Sequence, residues 1–247
     1  MKKLVYILTL LLFTCNSEDA NDCFQKSGNI IEETVDVSSF ERILVNRDIE
    51  LIIKEGPDYK VTIETGENLI NDVKVEVIGD QLVLTDNNSC NYVRDYGITK
   101  IHVSAPDILE IRSSTQYDIS SEGILNYASL SLFSDNFFAP DTYTTGDFRL
   151  NINSEELRIL TNNLSSQFIT GSVTKLNINF ASGAGRFEGA NLIAQNIIIN
   201  HRGSNDMIVN PQLSLTGKLR GTGNLISVNE PPVVDVERIY TGQLIFN

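Results

Sequence analysis

Residues 176–185 read LNINFASGAG, a short alternating strand followed by a run of small turn residues. The same pattern recurs as LRILTNN at 157–163, IIINHRGSN at 197–205 and LTGKLRGTGN at 215–224. The first apolar residues of these units, Leu157, Leu176, Ile197 and Leu215, lie 19, 21 and 18 residues apart. A period of about 20 residues with alternation inside each unit predicts a stacked β architecture, in which no unit buries its apolar face alone.

Parallel stacking follows from this period, because equivalent strands of successive units then lie side by side. We therefore predict an all-β, parallel solenoid over residues 105–247, with rungs of about 20 residues. Residues 35–104 carry shorter alternating runs separated by turn signals such as Gly79-Asp80. They predict a smaller β unit that precedes the solenoid, as its cap or its first rungs. No segment keeps a 3.6-residue apolar period beyond two turns, so helix is marginal throughout, with at most a single turn at 68–72.

Residues 1–14 are predicted to be a signal peptide. Lys2 and Lys3 precede an apolar run at 4–13, which is too short to span a bilayer. Cys15 follows directly, as the lipidated cysteine of a bacterial lipoprotein does, although Thr14 stands where a smaller residue is usual. We predict that acyl chains on Cys15 attach the protein to a membrane. Under the alternative, the signal is cleaved in the ordinary way and Cys15 is incidental.

Residues 15–34 are predicted to be an acidic, polar tether. The stretch Asn16-Ser17-Glu18-Asp19 resembles the export tag of surface lipoproteins in Bacteroidetes-type bacteria. The same stretch also suits a plain solvated tether. Together with Cys15, it predicts a lipid-anchored protein of the outer membrane or cell surface.

The charge of the chain argues against two classes of partner. With 19 Lys and Arg against 32 Asp and Glu, the formal net charge is −13. Nucleic acid is not an expected partner, because such binding depends on neutralising phosphates with basic side chains. Since no basic cluster occurs, attachment to anionic lipid through charge is not expected either.

The three cysteines divide into one lipid site and one pair. Once Cys15 is assigned to the lipid anchor, Cys23 and Cys90 remain. An exported chain with one remaining pair is expected to form a disulfide. A Cys23–Cys90 bond would fasten the N-terminal arm to the first β unit.

An inserted loop at 135–145 is the candidate contact for a partner. It contains Phe137, Phe138 and Tyr143. Exposed aromatic rings on a rigid scaffold commonly stack on sugars or anchor a protein partner. In the alternative interpretation, the rings fold back and cover a seam between strands.

The turns and the closing segment resemble those of a known family, the auto-transporter adhesins with a head GIN domain, common in Bacteroidetes. Members repeat a strand, a Ser-Gly-Ser-Gly-Asp-type turn and another strand. Comparable turns here are SGAGR at 182–186, RGSND at 202–206 and RGTGN at 220–224, and EPPVV at 230–234 resembles the closing segment. The resemblance implies a right-handed β-helix-like fold and a cell-envelope location. The glycines are missing at 113–115 and in the inserted loop, where the turn geometry departs from the family pattern.

Residues for catalysis are sparse. Right-handed β-helices often carry polysaccharide lyases and glycosidases, which need clustered carboxylates. The candidates mostly lie at turn edges, where a local structural role is expected: Asp118, Asp135, Asp147, Glu188 and Asp206. His102 and His201 are interpreted as ordinary polar residues, and with only two histidines no Cys/His zinc site can be assembled. We predict no catalytic residue, no cofactor and no metal site.

The sequence thus favours a non-catalytic, adhesin-like binding or structural module that contacts a glycan or a protein. Two alternatives stay open. One is a polysaccharide-active enzyme on the same scaffold, which would show two convergent carboxylates in a cleft. The other is a periplasmic protein of envelope maintenance with no external ligand.

Overall fold

The computed structural model describes residues 22–88 and 90–247. The predicted signal peptide and Cys15 lie outside these residues, as does the acidic stretch that follows Cys15. The regular secondary structure of the described chain consists of β-strands and two 3-10 segments, Asp22–Phe24 and Ile70–Asp72. The strands are β1 (Ile30–Val35), β2 (Arg42–Val45), β3 (Glu50–Glu55), β4 (Lys60–Gly66), β5 (Val73–Ile78), β6 (Gln81–Asp86), β7 (Lys100–Ala105), β8 (Glu110–Ser113), β9 (Ile119–Leu125), β10 (Ser129–Ser134), β11 (Phe148–Thr161), β12 (Gln167–Phe180), β13 (Phe187–His201), β14 (Met207–Leu219), β15 (Leu225–Ser227), β16 (Val233–Arg238) and β17 (Leu244–Phe246).

Four long strands form the centre of the molecule. β11 to β14 pair in sequence order and in parallel. Their register places Leu157 beside Leu176, Leu176 beside Ile197, and Ile197 beside Leu215. The apolar residues that recur along the sequence are therefore direct neighbours across strands.

The protein is all-β as predicted, but the prediction of a parallel β-solenoid is wrong. All 17 strands belong to one sheet of mixed direction. β1 pairs with β4, β4 with β7 and β5 with β6 in antiparallel fashion. The first strands form no separate sheet, because β2 pairs with both β6 and β8, and β3 with both β7 and β9. A right-handed parallel β-helix-like solenoid preceded by a smaller β unit does not describe this arrangement.

The antiparallel pairs have a local cause that alternation could not reveal. Ile78 is paired with Gln81, so only Gly79 and Asp80 connect β5 to β6. Gly79 has a φ of 66°, in the left-handed region that two-residue hairpin turns require. A strand in either type of pair can show one buried and one exposed face, so apolar alternation does not fix strand direction.

One continuous hydrophobic core runs through the sheet. Alternate residues of the long strands point inward, and Leu157, Leu176, Ile197 and Leu215 are all buried. The outward side chains are mainly polar, and some of them form amide ladders. Asn200 Nδ2 donates to Asn179 Oδ1 at 2.7 Å, between residues that are register partners. Burial of the apolar face and pairing of the polar face therefore act along the same strands.

Successive turns stack along one edge of the sheet. Ala184 N–H donates to the Asn163 carbonyl at 2.8 Å, and Ser204 N–H donates to the Gly183 carbonyl at 2.9 Å. Gly223 N–H continues the series by donating to the Gly203 carbonyl at 3.1 Å. We call this border the turn edge; it comprises residues 46–49, 90–99, 114–118, 135–147, 162–166, 181–186, 202–206 and 220–224.

Candidate functional site

Two long connections interrupt the regular turn edge. The turns at 162–166, 181–186, 202–206 and 220–224 are short, whereas the chain between β6 and β7 spans 87–99 and that between β10 and β11 spans 135–147. We call residues 90–99 the disulfide loop and residues 135–147 the aromatic loop. Long loops on a rigid scaffold are the usual carriers of binding function.

The disulfide loop is fastened to the N-terminal segment. Cys23 and Cys90 are joined by a disulfide with an S–S distance of 2.07 Å. Tyr92 N–H donates to the Cys23 carbonyl at 2.9 Å, and the rings of Phe24 and Tyr92 lie 5.7 Å apart. The Arg94 guanidinium donates to the Gln25 carbonyl at 3.3 Å. These contacts hold the loop while Tyr92 and Tyr96 stay 74% and 78% exposed.

The aromatic loop presents the three predicted contact residues to solvent. Phe138 is 98% exposed, and Phe137 and Tyr143 are each about half exposed. The Arg47 guanidinium lies 5.6 Å from the centre of the Tyr143 ring. At the base of the loop, Arg112 donates to the buried Asp135 carboxylate at 2.7 Å. The Phe138 ring therefore does not cover a seam between strands.

The turn at 114–118 lies between the two loops. Gly146 N–H, from the aromatic loop, donates to the Thr115 carbonyl at 3.0 Å. On the other side, a Cβ added to Gly97 of the disulfide loop would lie 2.9 Å from Cε1 of Tyr117. The aromatic side chains of both loops therefore belong to one continuous stretch of the turn edge.

A cavity of about 200 Å³ opens beneath the disulfide loop. We call it the Tyr96 cavity; its lining includes Asp48, Asp86, Asn88, Tyr96 and Tyr117. None of these five residues was predicted from the sequence as a site residue, since they come from separate segments that meet only after folding. The one available signal was the length and polarity of the chain around Cys90.

Two carboxylates of this cavity are held in place by their neighbours. Asp86 Oδ2 accepts a hydrogen bond of 2.6 Å from the Thr99 hydroxyl, and Oδ1 accepts two from Asn88, at 2.7 and 2.8 Å. Burial raises the pKa of the Asp86 carboxyl, and the charge of Asp48 adds to this shift. Asp48 has a φ of 66°, which is uncommon for a residue other than glycine.

The structure does not assemble the carboxylates considered for glycosidase or lyase chemistry into a cleft. Asp118 and Asp147 come together, but both pair with Arg149, at 2.6 and 3.2 Å. Asp135 pairs with Arg112, Glu188 pairs with Arg186, and Asp206 Oδ1 accepts two hydrogen bonds from Asn224. Each carboxylate thus has a structural partner. Within residues 22–88 and 90–247, no group of three or more His, Cys, Asp or Glu side chains could hold a metal ion.

The two histidines occupy different environments. His102 lies on the outer face of β7, where its Nε2 is 3.0 Å from Glu64 Oε2. His201 is buried at the end of β13. Its Nε2–H donates to the Asn205 carbonyl at 2.9 Å, and Nδ1 accepts from Gly203 N–H at 3.3 Å. His201 therefore closes a turn in its neutral form.

Stability is expected to fall at mildly acidic pH because of His201. Burial lowers the pKa of His201 below its ordinary value, so the unfolded chain binds the proton more readily. The contribution to stability is full above the unfolded pKa of about 6.5 and is lost as pH falls towards the folded pKa. Thermal unfolding at pH 7.5 and 5.5 should show a lower Tm at pH 5.5.

The control for this prediction is His201→Gln, which removes the titration. Asp86 titrates with the opposite sign, because its raised pKa favours protonation in the folded state. The change in Tm between pH 7.5 and pH 5.5 is therefore measured for each protein, and the change in the wild type is compared with that in the variant. An equal change in both proteins would show that His201 contributes nothing to the pH dependence.

No helix in the described part of the chain is long and apolar enough to cross a membrane.

A family model described as "Putative auto-transporter adhesin, head GIN domain" matches residues 39–231. The chain belongs to this family. The resemblance carried by the turn motifs is thereby confirmed, and the family's description is that of an adhesin and not of an enzyme. No curated protein matches the chain.

Solved structures share the fold of this head GIN domain protein. A "putative adhesin" from Bacteroides fragilis aligns with a TM-score of 0.79 at 17% identity, over 90% of this chain and 99% of its own. A "putative lipid binding protein" from Parabacteroides distasonis aligns with a TM-score of 0.60 at 13% identity, over 88% and 97%. A "putative adhesin" from Parabacteroides merdae gives 0.54 at 15% identity, over 90% and 98%. At these identities the likeness concerns the fold alone.

Proposed function

We propose that this head GIN domain protein is an exported, lipid-anchored protein of the cell envelope that binds an extracellular glycan or protein through its turn edge. The observation that carries the proposal is the exposure of aromatic side chains on two adjacent loops. Phe138 is the most exposed of these side chains, with 98% of its surface accessible to solvent. The family's description as an adhesin supports the same function.

Exposed aromatic rings are costly to keep in water and useful in an interface. Phe and Tyr bury large areas on contact, and few rotatable bonds are frozen when they do so. Here the loops are fastened at their bases, by the Cys23–Cys90 disulfide and by the Arg112–Asp135 pair. Ligand binding would therefore order little additional chain, which favours affinity.

The aromatic loop can be tested without disturbing the core. In the triple variant Phe137→Ala, Phe138→Ala and Tyr143→Ala, we expect loss of binding to host cells or immobilised extracellular glycoprotein, with the Tm nearly unchanged. Ile198→Ala is the matched control, because Ile198 is an apolar residue of β13, outside the aromatic loop, and is 55% exposed. Full binding by the triple variant would overturn the assignment of this loop.

The cellular address is tested separately. We expect metabolic labelling with a fatty-acid analogue to mark the wild type and not the Cys15→Ala variant. Proteinase added to intact cells should remove a C-terminal epitope while a periplasmic control protein survives. Labelling with complete protection from proteinase would place the protein inside the envelope and exclude an adhesin. Absence of labelling would exclude the lipid anchor at Cys15.

A further inference from the structure

We propose that the Tyr96 cavity binds a single neutral sugar ring. This inference rests on the proposed function, for which it names the class of ligand and the place of contact. The cavity, of about 200 Å³, is smaller than the pockets of about 300–1,000 Å³ that hold drug-sized ligands, and it suits one ring of an oligosaccharide. Its mouth lies on the turn edge beside both long loops.

Two tyrosines supply the apolar contact that the ring of a sugar requires. Tyr96 is exposed at the mouth, and Tyr117 lies half buried in the wall. Gly97 directly follows Tyr96 in the chain and packs on the Tyr117 ring, where a Cβ would come within 2.9 Å of Cε1. The Tyr117 ring is thus held in place before a ligand arrives, with its hydroxyl hydrogen-bonded to the Gly97 backbone. The Tyr96 ring projects at the mouth, where its hydroxyl lies 3.5 Å from the Asn91 carbonyl oxygen. Either ring can meet the C–H face of a sugar.

The polar wall supplies acceptors that are already oriented. The Gln116 side chain binds Asp48 twice: its Nε2 donates to Asp48 Oδ1 at 2.6 Å, and its Oε1 accepts from Asp48 N–H at 3.2 Å. Asp86 is oriented by Thr99 and Asn88, as described above. Oriented carboxylates accept hydrogen bonds from sugar hydroxyls at little further cost in side-chain entropy.

One buried polar atom of the wall has no partner in the described chain. Asn88 is only 8% exposed, and its Nδ2 donates to the Leu69 carbonyl and to Asp86 Oδ1. Its Oδ1, however, accepts no hydrogen bond. This oxygen is itself closed off from solvent, so Asn88 serves the wall by orienting the Asp86 carboxylate through its Nδ2 and not by contacting a ligand through Oδ1.

The charge of the cavity selects against an anionic ligand. Asp48, Asp86 and Asp95 line it together with Arg94. The Arg94 guanidinium is already bound to the carbonyls of Gln25 and Asn88. A phosphate, an uronic acid or a sialic acid would therefore meet more negative than available positive charge. A neutral hexose or N-acetylhexosamine avoids this repulsion.

The test uses saturation-transfer NMR on the full mature protein with D-glucose, D-galactose, D-mannose, L-fucose and N-acetyl-D-glucosamine as probes. We expect at least one of these neutral sugars to receive saturation and D-glucuronate to receive none. Asp48→Asn should weaken binding about tenfold or more, because a hydrogen bond to a charged group is lost. Asparagine tolerates positive φ well, so this variant keeps the backbone conformation. Tyr96→Ala, at an exposed side chain, should weaken binding comparably.

The outcomes separate this inference from the proposed function. The aromatic-loop triple variant should still bind the free sugar, because its three residues do not line the cavity. Absence of saturation transfer to every neutral sugar, or equal binding by Asp48→Asn and wild type, would overturn the cavity assignment. Stronger saturation of D-glucosamine, in its ammonium form, than of all the neutral sugars would overturn it too. If cell binding then still depended on the aromatic loop, the proposed function would stand without the sugar site.

Discussion

Replacing Ile197 by alanine is expected to lower the free energy of unfolding by about 2–5 kcal/mol. Ile197 is fully buried and lies between Leu176 and Leu215 in the register of the parallel strands. Removing its branched side chain leaves a cavity between two neighbours that are themselves fixed by backbone pairing. Because the neighbouring side chains can move only partly into this cavity, the loss of hydrophobic burial and the cost of the remaining cavity add together.

The adjacent residue provides the control. Ile198 has the same side chain and the same strand, but it points outward and is 55% exposed. Ile198→Ala should change the unfolding free energy by no more than about 0.5 kcal/mol. Urea denaturation of both variants gives the comparison. Equal losses in the two variants would contradict the assignment of inward and outward faces in β13.

Gly217→Ala is expected to cost about 3 kcal/mol or more. Gly217 has a φ of 131°, in the region that residues with a side chain rarely adopt. It is the register partner of Ile199 in the neighbouring strand, and a Cβ would overlap the carbonyl oxygen of Ile199. The substitution therefore imposes both backbone strain and a collision with a paired strand.

Gly123→Ala separates these two costs. Gly123 also has positive φ, 84°, but a Cβ there would have no atom within 4 Å. Only the conformational cost remains, about 1–2 kcal/mol. In chemical denaturation, the free energy of unfolding of Gly217→Ala should be well below that of Gly123→Ala. A Gly217→Ala variant as stable as Gly123→Ala would show that β13 and β14 do not approach each other as closely as described.

Repetition was readable from the sequence because each long strand carries its own copy of the pattern. Leu157, Leu176, Ile197 and Leu215 recur at a spacing that the structure turns into direct pairing. Cys23 and Cys90 could be paired by elimination, and the structure joins the same two residues. The turn motifs were sufficient to indicate the family, which the match over 39–231 confirms.

Strand direction and the Tyr96 cavity could not be read in the same way. The hairpin at Gly79-Asp80 was visible as a turn signal, yet nothing in alternation distinguished an antiparallel return from a parallel layer. The cavity joins Asp48, Asp86 and Tyr117, whose proximity depends on β2 pairing with both β6 and β8. Such sites depend on which strands pair and in what register, and no local sequence pattern indicates that pairing. The predicted boundaries at residues 14, 34 and 104 stay predictions.

We propose that the turn edge binds an extracellular ligand through its exposed aromatic residues. The most direct measurement is binding of the purified protein to an array of glycans and extracellular glycoproteins, beside the aromatic-loop triple variant and Ile198→Ala. We expect binding by the wild type and by Ile198→Ala, and loss of that binding in the triple variant. No binding by the wild type to any ligand, or binding that the triple variant retains in full, would contradict it.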